Sequence, residues 1–219
     1  SNVSYTSGRF EAAADFNGSS SKILYPTAAP FNDSNTILAV SAWVKLGSAG
    51  DEFVIMSASS TSDQADYMML VVGGNKAGRI FMTDAPRNAN EYQANFGSSN
   101  DTNWNHYVWQ LSASGGIQLW MNGTSQTRSE TVQNGSLDET KWFGDLTYAT
   151  DVQYATGINR VVTTGYSDGT ISRLRLFNKE LSSSSISSLY NETDEAVVSV
   201  NAAAGFSVSK MTYTGEGIQ

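Results

Sequence analysis

Short apolar alternation, broken by clusters of Gly, Asn, Ser and Asp, runs through most of this chain and is the texture of many strands joined by turns. Leu38, Val40, Ala42, Val44 and Leu46 place an apolar residue at every second position, with Ser41 and Lys45 between them, so the segment reads as a strand with one buried face. Trp43 falls on its polar face. Tyr107, Trp109 and Leu111 alternate in the same way, as do Ile117, Leu119 and Met121 beyond the turn residues Ser112 to Gly116. These two runs form a hairpin. Asn122-Gly123 supplies the positive φ angles of a tight turn and predicts a further antiparallel strand after it. Ile171 to Phe177 is another strand.

Helix signal is confined to one segment. Ser182 is a capping residue flanked by Leu181 and Ile186, the two positions that form a hydrophobic staple, and Ile186, Leu189 and Tyr190 then share one face. A helix over 182–190 has about two turns, too few to stand alone, so it must pack onto the strands. The pattern as a whole predicts an all-β, antiparallel sandwich with one short helix near its C-terminal end.

At 219 residues the chain has room for one such sandwich and a short extra piece. Thirteen Lys and Arg against 21 Asp and Glu give a net charge of -8, which repels a phosphate backbone and excludes nucleic acid as a partner. The absence of cysteine excludes disulfides, thiolate metal sites and thiol catalysis. No apolar run approaches the roughly 20 residues of a membrane span. Ser1-Asn2-Val3-Ser4 lacks the basic start of a signal peptide, and the chain opens without Met, so it reads as a piece of a longer polypeptide.

Five blocks, in order, carry a family resemblance. Ala13-Ala14-Asp15-Phe16-Asn17-Gly18-Ser19, Val40-Ser41-Ala42-Trp43-Val44-Lys45 and Trp104-Asn105-His106-Tyr107-Val108 look like successive strands of a laminin-G-like, concanavalin A-like jelly roll. Gly116-Ile117-Gln118-Leu119-Trp120-Met121-Asn122-Gly123 resembles its strand ending in an Asn-Gly turn. Gly169 to Ser182, followed by Ile186 and Leu189-Tyr190-Asn191, resembles its closing strand and helix. The match runs over about residues 8 to 193. The resemblance implies a fold that hosts lectins, polysaccharide-binding modules, adhesion domains and some glycanases, so function has to come from the residues.

Glycan hydrolysis needs two carboxylates across one cleft, and jelly-roll glucanases set theirs at alternate positions of one strand. The acidic pairs here, Asp51-Glu52, Asp138-Glu139 and Asp194-Glu195, are adjacent residues in turn-like settings and read as solvated loop charge. His106 is the one histidine and has no acid at catalytic spacing. Arg128-Ser129-Glu130 echoes a polysaccharide lyase motif whose companion motifs are missing. The expectation is a non-catalytic module.

The resemblance further implies calcium, held in many members by loop carbonyls and a carboxylate. Ser172 stands where relatives often have Asp, which leaves Asp15, Asp101 and Asp168 as candidate donors or as ordinary turn residues. Aromatic rings outside the strand cores are the ligand candidates, since a flat ring can stack on a sugar or anchor a protein contact. Tyr92, with Phe96, lies in the stretch from Asp84 to Asn103; Trp142, Phe143, Tyr148 and Tyr154, with Asp145, lie between Ser136 and Thr156. The alternative for these rings is to cap the core under long loops. Trp43 and Trp120, on polar strand faces, either line a concave sheet or are covered by a neighbour.

The tail changes character. Residues 1–193 form the sandwich, and 194–219 are a linker or the start of a second β domain. Gly205-Phe206-Ser207 and Tyr213-Thr214-Gly215-Glu216-Gly217 resemble a segment that follows such sandwiches in phage virion and tail-associated proteins. The expected role is a surface module that binds a glycan or a cell-surface receptor, extracellular or on a virion. The alternative is a structural or decoration domain of a capsid, fibre or tail, with other virion subunits as partners.

Overall fold

The structure is a computed structural model that describes residues 2–25, 37–60, 67–84, 90–97, 101–114, 116–137, 139, 152–158 and 165–193. In chain order the strands are β1 (Ser4–Ser7), β2 (Ala12–Asn17), β3 (Ile23–Leu24), β4 (Ala39–Leu46), β5 (Glu52–Ser60), β6 (Tyr67–Gly73) and β7 (Lys76–Asp84). They continue as β8 (Asn90–Phe96), β9 (Asn105–Leu111), β10 (Ile117–Met121), β11 (Thr124–Ser125), β12 (Arg128–Asn134), β13 (Val152–Thr156) and β14 (Asp168–Phe177). One helix, α1 (Ser183–Tyr190), follows.

The strands form two seven-stranded antiparallel sheets. Sheet A has the order β1-β2-β14-β4-β9-β10-β11, and sheet B the order β12-β8-β7-β6-β5-β13-β3. Their inner faces meet in one core, to which β4 gives Val40, Ala42, Val44 and Leu46, β6 gives Met68, Leu70 and Val72, and β9 gives Tyr107 and Trp109. This is the antiparallel sandwich that the alternation predicts, with the jelly-roll fold that the resemblance implies. The β9–β10 hairpin pairs Tyr107 with Met121 and Leu111 with Ile117, and β11 turns back through Asn122 (φ 51°) and Gly123 (φ 75°).

Gly78 matters to the meeting of the sheets. A Cβ there would come 2.7 Å from Trp109 Cζ2 and 2.9 Å from Leu119 Cδ2, so glycine lets the β9 tryptophan approach β7 closely. The predicted helix is capped as expected, with the Ser185 amide donating to the Ser182 hydroxyl at 3.2 Å. Leu181 and Ile186 are buried in one cluster with Ala39, Val108, Phe177 and Leu189, which seats α1 on the outer face of sheet A.

That packing corrects the half-solvated reading of β4 at Ser41 and decides between the two outcomes expected for Trp43: they are 0% and 1% exposed, because the outer face of sheet A is itself covered by neighbours. Trp43 stacks on Tyr190 at 5.7 Å between ring centres, and the Arg9 guanidinium lies 3.8 Å over the indole. Half-buried Trp120 packs against the helix cluster.

Candidate ligand-binding face

Two of the expected ligand rings belong to the core. Tyr92 and Tyr154 lie within β8 and β13 rather than between strands, and are 2% and 4% exposed. Tyr92, Ala94 and Phe96 are the inward set of β8, so period-2 alternation turns these rings away from solvent. Trp142, Phe143, Asp145 and Tyr148 lie outside the described residues.

The acidic pairs are also more than loop charge. Glu139 accepts from the Tyr92 hydroxyl (3.2 Å), the Ile117 amide (3.1 Å) and the Arg128 guanidinium (2.5 Å). Burial alone would raise its carboxyl, but the arginine and these donors outweigh it and hold it below the usual value. Glu52 accepts two bonds from Arg79. Asp138, Asp194 and Glu195 lie outside the described residues.

The candidate metal donors are dispersed. Asp15 accepts from the hydroxyls of Ser4 and Thr170, at 3.2 and 3.3 Å. Asp101 accepts from Asn105 Nδ2 and the Asn103 amide, bonds that hold its carboxyl below the ordinary value. Asp168 opens β14, close enough that a Cβ on Gly47 would come 2.7 Å from its carboxyl carbon. Among the described residues no three His, Cys, Asp or Glu side chains converge.

Ser41 Oγ and His106 Nε2 stand 2.8 Å apart, the contact a hydrolase nucleophile makes with its base. Both residues are 0% exposed beneath the cover of sheet A, and His106 Nδ1 has no hydrogen-bond partner to orient it. Burial, with the positive charges of Arg175 and Arg9, pushes the imidazole down to about 3. The pair is a neutral core contact.

Sheet B presents its outer face differently. Strand register arranges that face in three rows. The first runs Glu130, Asn95, Arg79, Val71, Val54; the second Val132, Gln93, Phe81, Met69, Ser57, Ala155, Leu24; the third Asn134, Glu91, Thr83, Tyr67, Ser59, Gln153. Val54, Tyr67, Met69 and Val71 form a buried apolar cluster on this side, with half-buried Phe81 packed against it. The Phe81 and Tyr67 rings stack, 5.5 Å apart and 16° from parallel. Towards β13 the face is closed, since buried Ser57 donates to the Ile158 carbonyl at 2.9 Å.

Towards β12 it is open. Phe81, Gln93, Arg79 and Val132 are half-buried and Glu130 is exposed. Gln93 Nε2 donates to Asn95 Oδ1 (3.4 Å), Asn95 Nδ2 to Glu130 Oε2 (2.5 Å), and Arg79 to Glu52 at 2.8 and 3.0 Å. A partly accessible ring, supported from behind and bordered by amide, carboxylate and guanidinium groups, has the make-up of a small-molecule site. Phe81, Arg79 and Asn95 were not singled out in the sequence, and Glu52 and Glu130 only as part of an acidic pair and of the lyase-like triplet. The alternation Arg79-Ile80-Phe81-Met82-Thr83 is the signal that could have found them.

The family model for the concanavalin A-like lectin/glucanases superfamily matches residues 17–187, and the chain belongs to that superfamily. No curated protein matches it in sequence at a significant level. Among solved structures it is similar to the CBM40 module of the Ruminococcus gnavus IT-sialidase bound to α2,3-sialyllactose, with a TM-score of 0.60, 13% identity, and coverage of 81% of this chain and 96% of that one. It is also similar to a leech intramolecular trans-sialidase, at TM-score 0.60 and 15% identity, covering 83% of this chain and 27% of that one. A third likeness is the botulinum neurotoxin type G receptor-binding domain, at TM-score 0.55 and 14% identity, covering 87% and 44%. At these identities the likenesses establish the fold.

Proposed function

We propose that this chain is a non-catalytic binding module that takes a glycan on the outer face of sheet B. The observation that carries the reading is the Phe81 ring, backed by Tyr67 and bordered by Arg79, Gln93, Asn95 and Glu130. Such a ring packs on the C–H face of a pyranose while the border fixes its hydroxyls. Among the structural neighbours one module is bound to sialyllactose and another is a receptor-binding domain, the use proposed for this chain. Burial of the Ser41–His106 pair keeps the chain's one histidine away from any substrate, in keeping with a binding role.

Trp142, Phe143, Asp145 and Tyr148 are retained in the proposal as further ligand-contacting residues. The module is taken to span residues 1–193, displayed extracellularly or on a virion, with 194–219 a linker or the opening of a second β domain. The second reading, a structural or decoration domain of a virion, is favoured by the Gly205 to Gly217 segment.

The test is glycan-array binding of the full chain, with and without calcium, beside Phe81→Ala and Trp142→Ala. Specific binding should fall about tenfold or more in Phe81→Ala, the loss expected on truncating an aromatic anchor. No binding to any glycan, in either condition, overturns the proposal in favour of the virion role.

A further inference from the structure

We infer that the glycan taken by sheet B is uncharged, a neutral hexose or N-acetylhexosamine oligosaccharide, rather than a sialylated, uronic or sulfated one. The inference rests on the binding-module reading above and goes beyond it to the class of ligand.

Charge is the first ground. At the described positions of this face stand three carboxylates, Glu52, Glu91 and Glu130, against one guanidinium, Arg79. The Nη2 of that guanidinium donates to both Glu52 oxygens, at 3.0 and 2.8 Å, which pairs its charge, while its buried Nε has no hydrogen-bond partner. Among the described residues the balance on this face is negative, in a chain whose net charge is -8. An incoming carboxylate or sulfate meets like charge at this face, a repulsion that discriminates against it.

The hydrogen-bond inventory is the second ground. Gln93 Nε2 gives one of its two N–H groups to Asn95, and Asn95 Nδ2 one of its two to Glu130. Beside them the Gln93 carbonyl and Glu130 Oε1, on a half-buried and an exposed side chain, are acceptors. Acceptors read hydroxyl and N–H donors, which neutral sugars carry at nearly every ring carbon. A carboxylate or sulfate offers acceptors alone. Phe81, between the two networks, takes the apolar ring face.

The face therefore differs in kind from a site for sialyllactose, the ligand in one structural neighbour. Two carboxylates edge its accessible end: Glu130 beside Asn95, and Glu52 beside Arg79.

The experiment uses the full 219-residue chain on an array of paired oligosaccharides, each neutral glycan printed beside its sialylated, uronic-acid or sulfated counterpart. Lactose against α2,3-sialyllactose is one such pair. The neutral member of each bound pair should be preferred by about tenfold or more. Glu130→Gln keeps the oxygen acceptor and removes the charge, so the preference should narrow while Phe81→Ala weakens binding of the neutral member. An acidic member bound as tightly as its neutral partner overturns the inference and leaves the binding-module reading standing. Neutral binding untouched by Phe81→Ala overturns it too, by placing the site elsewhere. No binding of any member overturns the module reading, and the inference with it.

Discussion

Acidification from pH 7 to pH 4.5 should destabilise the fold through its one histidine. In the unfolded chain His106 takes up a proton near its ordinary value of 6.5; in the folded chain it does so at about 3, because the ring is buried and faces Arg175 and Arg9. The folded pKa is lowered, so this stability is fully present above pH 6.5 and is lost as pH falls towards 3. Each pH unit inside that window removes about 1.4 kcal/mol, or about 2.7 kcal/mol by pH 4.5. Against a domain stability of about 5–15 kcal/mol the loss is large. The window also isolates the effect: the lowered carboxyls of Asp101 and Glu139 add their own loss only below ordinary values of 3.8 and 4.5. Urea unfolding at pH 7 and 4.5 measures the difference directly, and His106→Gln should abolish most of the pH dependence between 6.5 and 4.5. The imidazole proton signal, unambiguous in a one-histidine chain, should stay constant in the folded protein down to about pH 4. A folded-state titration midpoint near 6.5 would refute the reasoning, since it would mean the ring is solvated.

Three further outcomes test the packing. Gly78→Ala places a methyl 2.7 Å from the Trp109 ring and 2.8 Å from the Val71 carbonyl, and should cost about 1–3 kcal/mol in urea unfolding with the Trp fluorescence shifted. Glu192→Ala removes a carboxylate that is 0% exposed and bonded to Arg175 at 2.7 and 3.0 Å; with the arginines themselves partly solvated, the expected loss is about 1–3 kcal/mol and a lower Tm. Ser182→Ala deletes the α1 cap and should cost about 1 kcal/mol, seen as faster amide exchange at Ser185.

What was legible in the sequence depended on how each strand is buried. β9, β10 and β14 could be read because alternation or an Asn-Gly turn marks them, and α1 because Leu181, Ser182 and Ile186 form a local signature. β5 and β6 could not. Phe53 to Ala58 and Tyr67 to Val72 are apolar at nearly every position because sheet B buries its outer side as well, and period-2 contrast vanishes when both faces are dry. Ser41 read as part of a half-solvated face because the α1 and Arg9 cover on that side of sheet A, over Ala39 and Trp43, comes from chain far away in sequence. Tyr92 shows the converse error. In a polar stretch of Asn, Glu and Gln the ring looked exposed, yet register with β7 turns it inward and brings Gln93 out instead. The candidate site was illegible because it belongs to no one segment: Glu130, Asn95, Arg79 and Phe81 come from three strands that meet only through register.

The cover over sheet A has a consequence for avidity. With α1, Arg9 and Tyr190 covering the Ala39, Trp43 and Val108 side of sheet A, each module has one proposed sugar face, on sheet B. A single shallow sugar site binds weakly, and strength on a glycan-coated surface then has to come from several copies held at matching spacing. Each added copy turns the next binding event into an intramolecular one, and linkage of this kind raises apparent affinity by about 10²–10⁴ without any new contact.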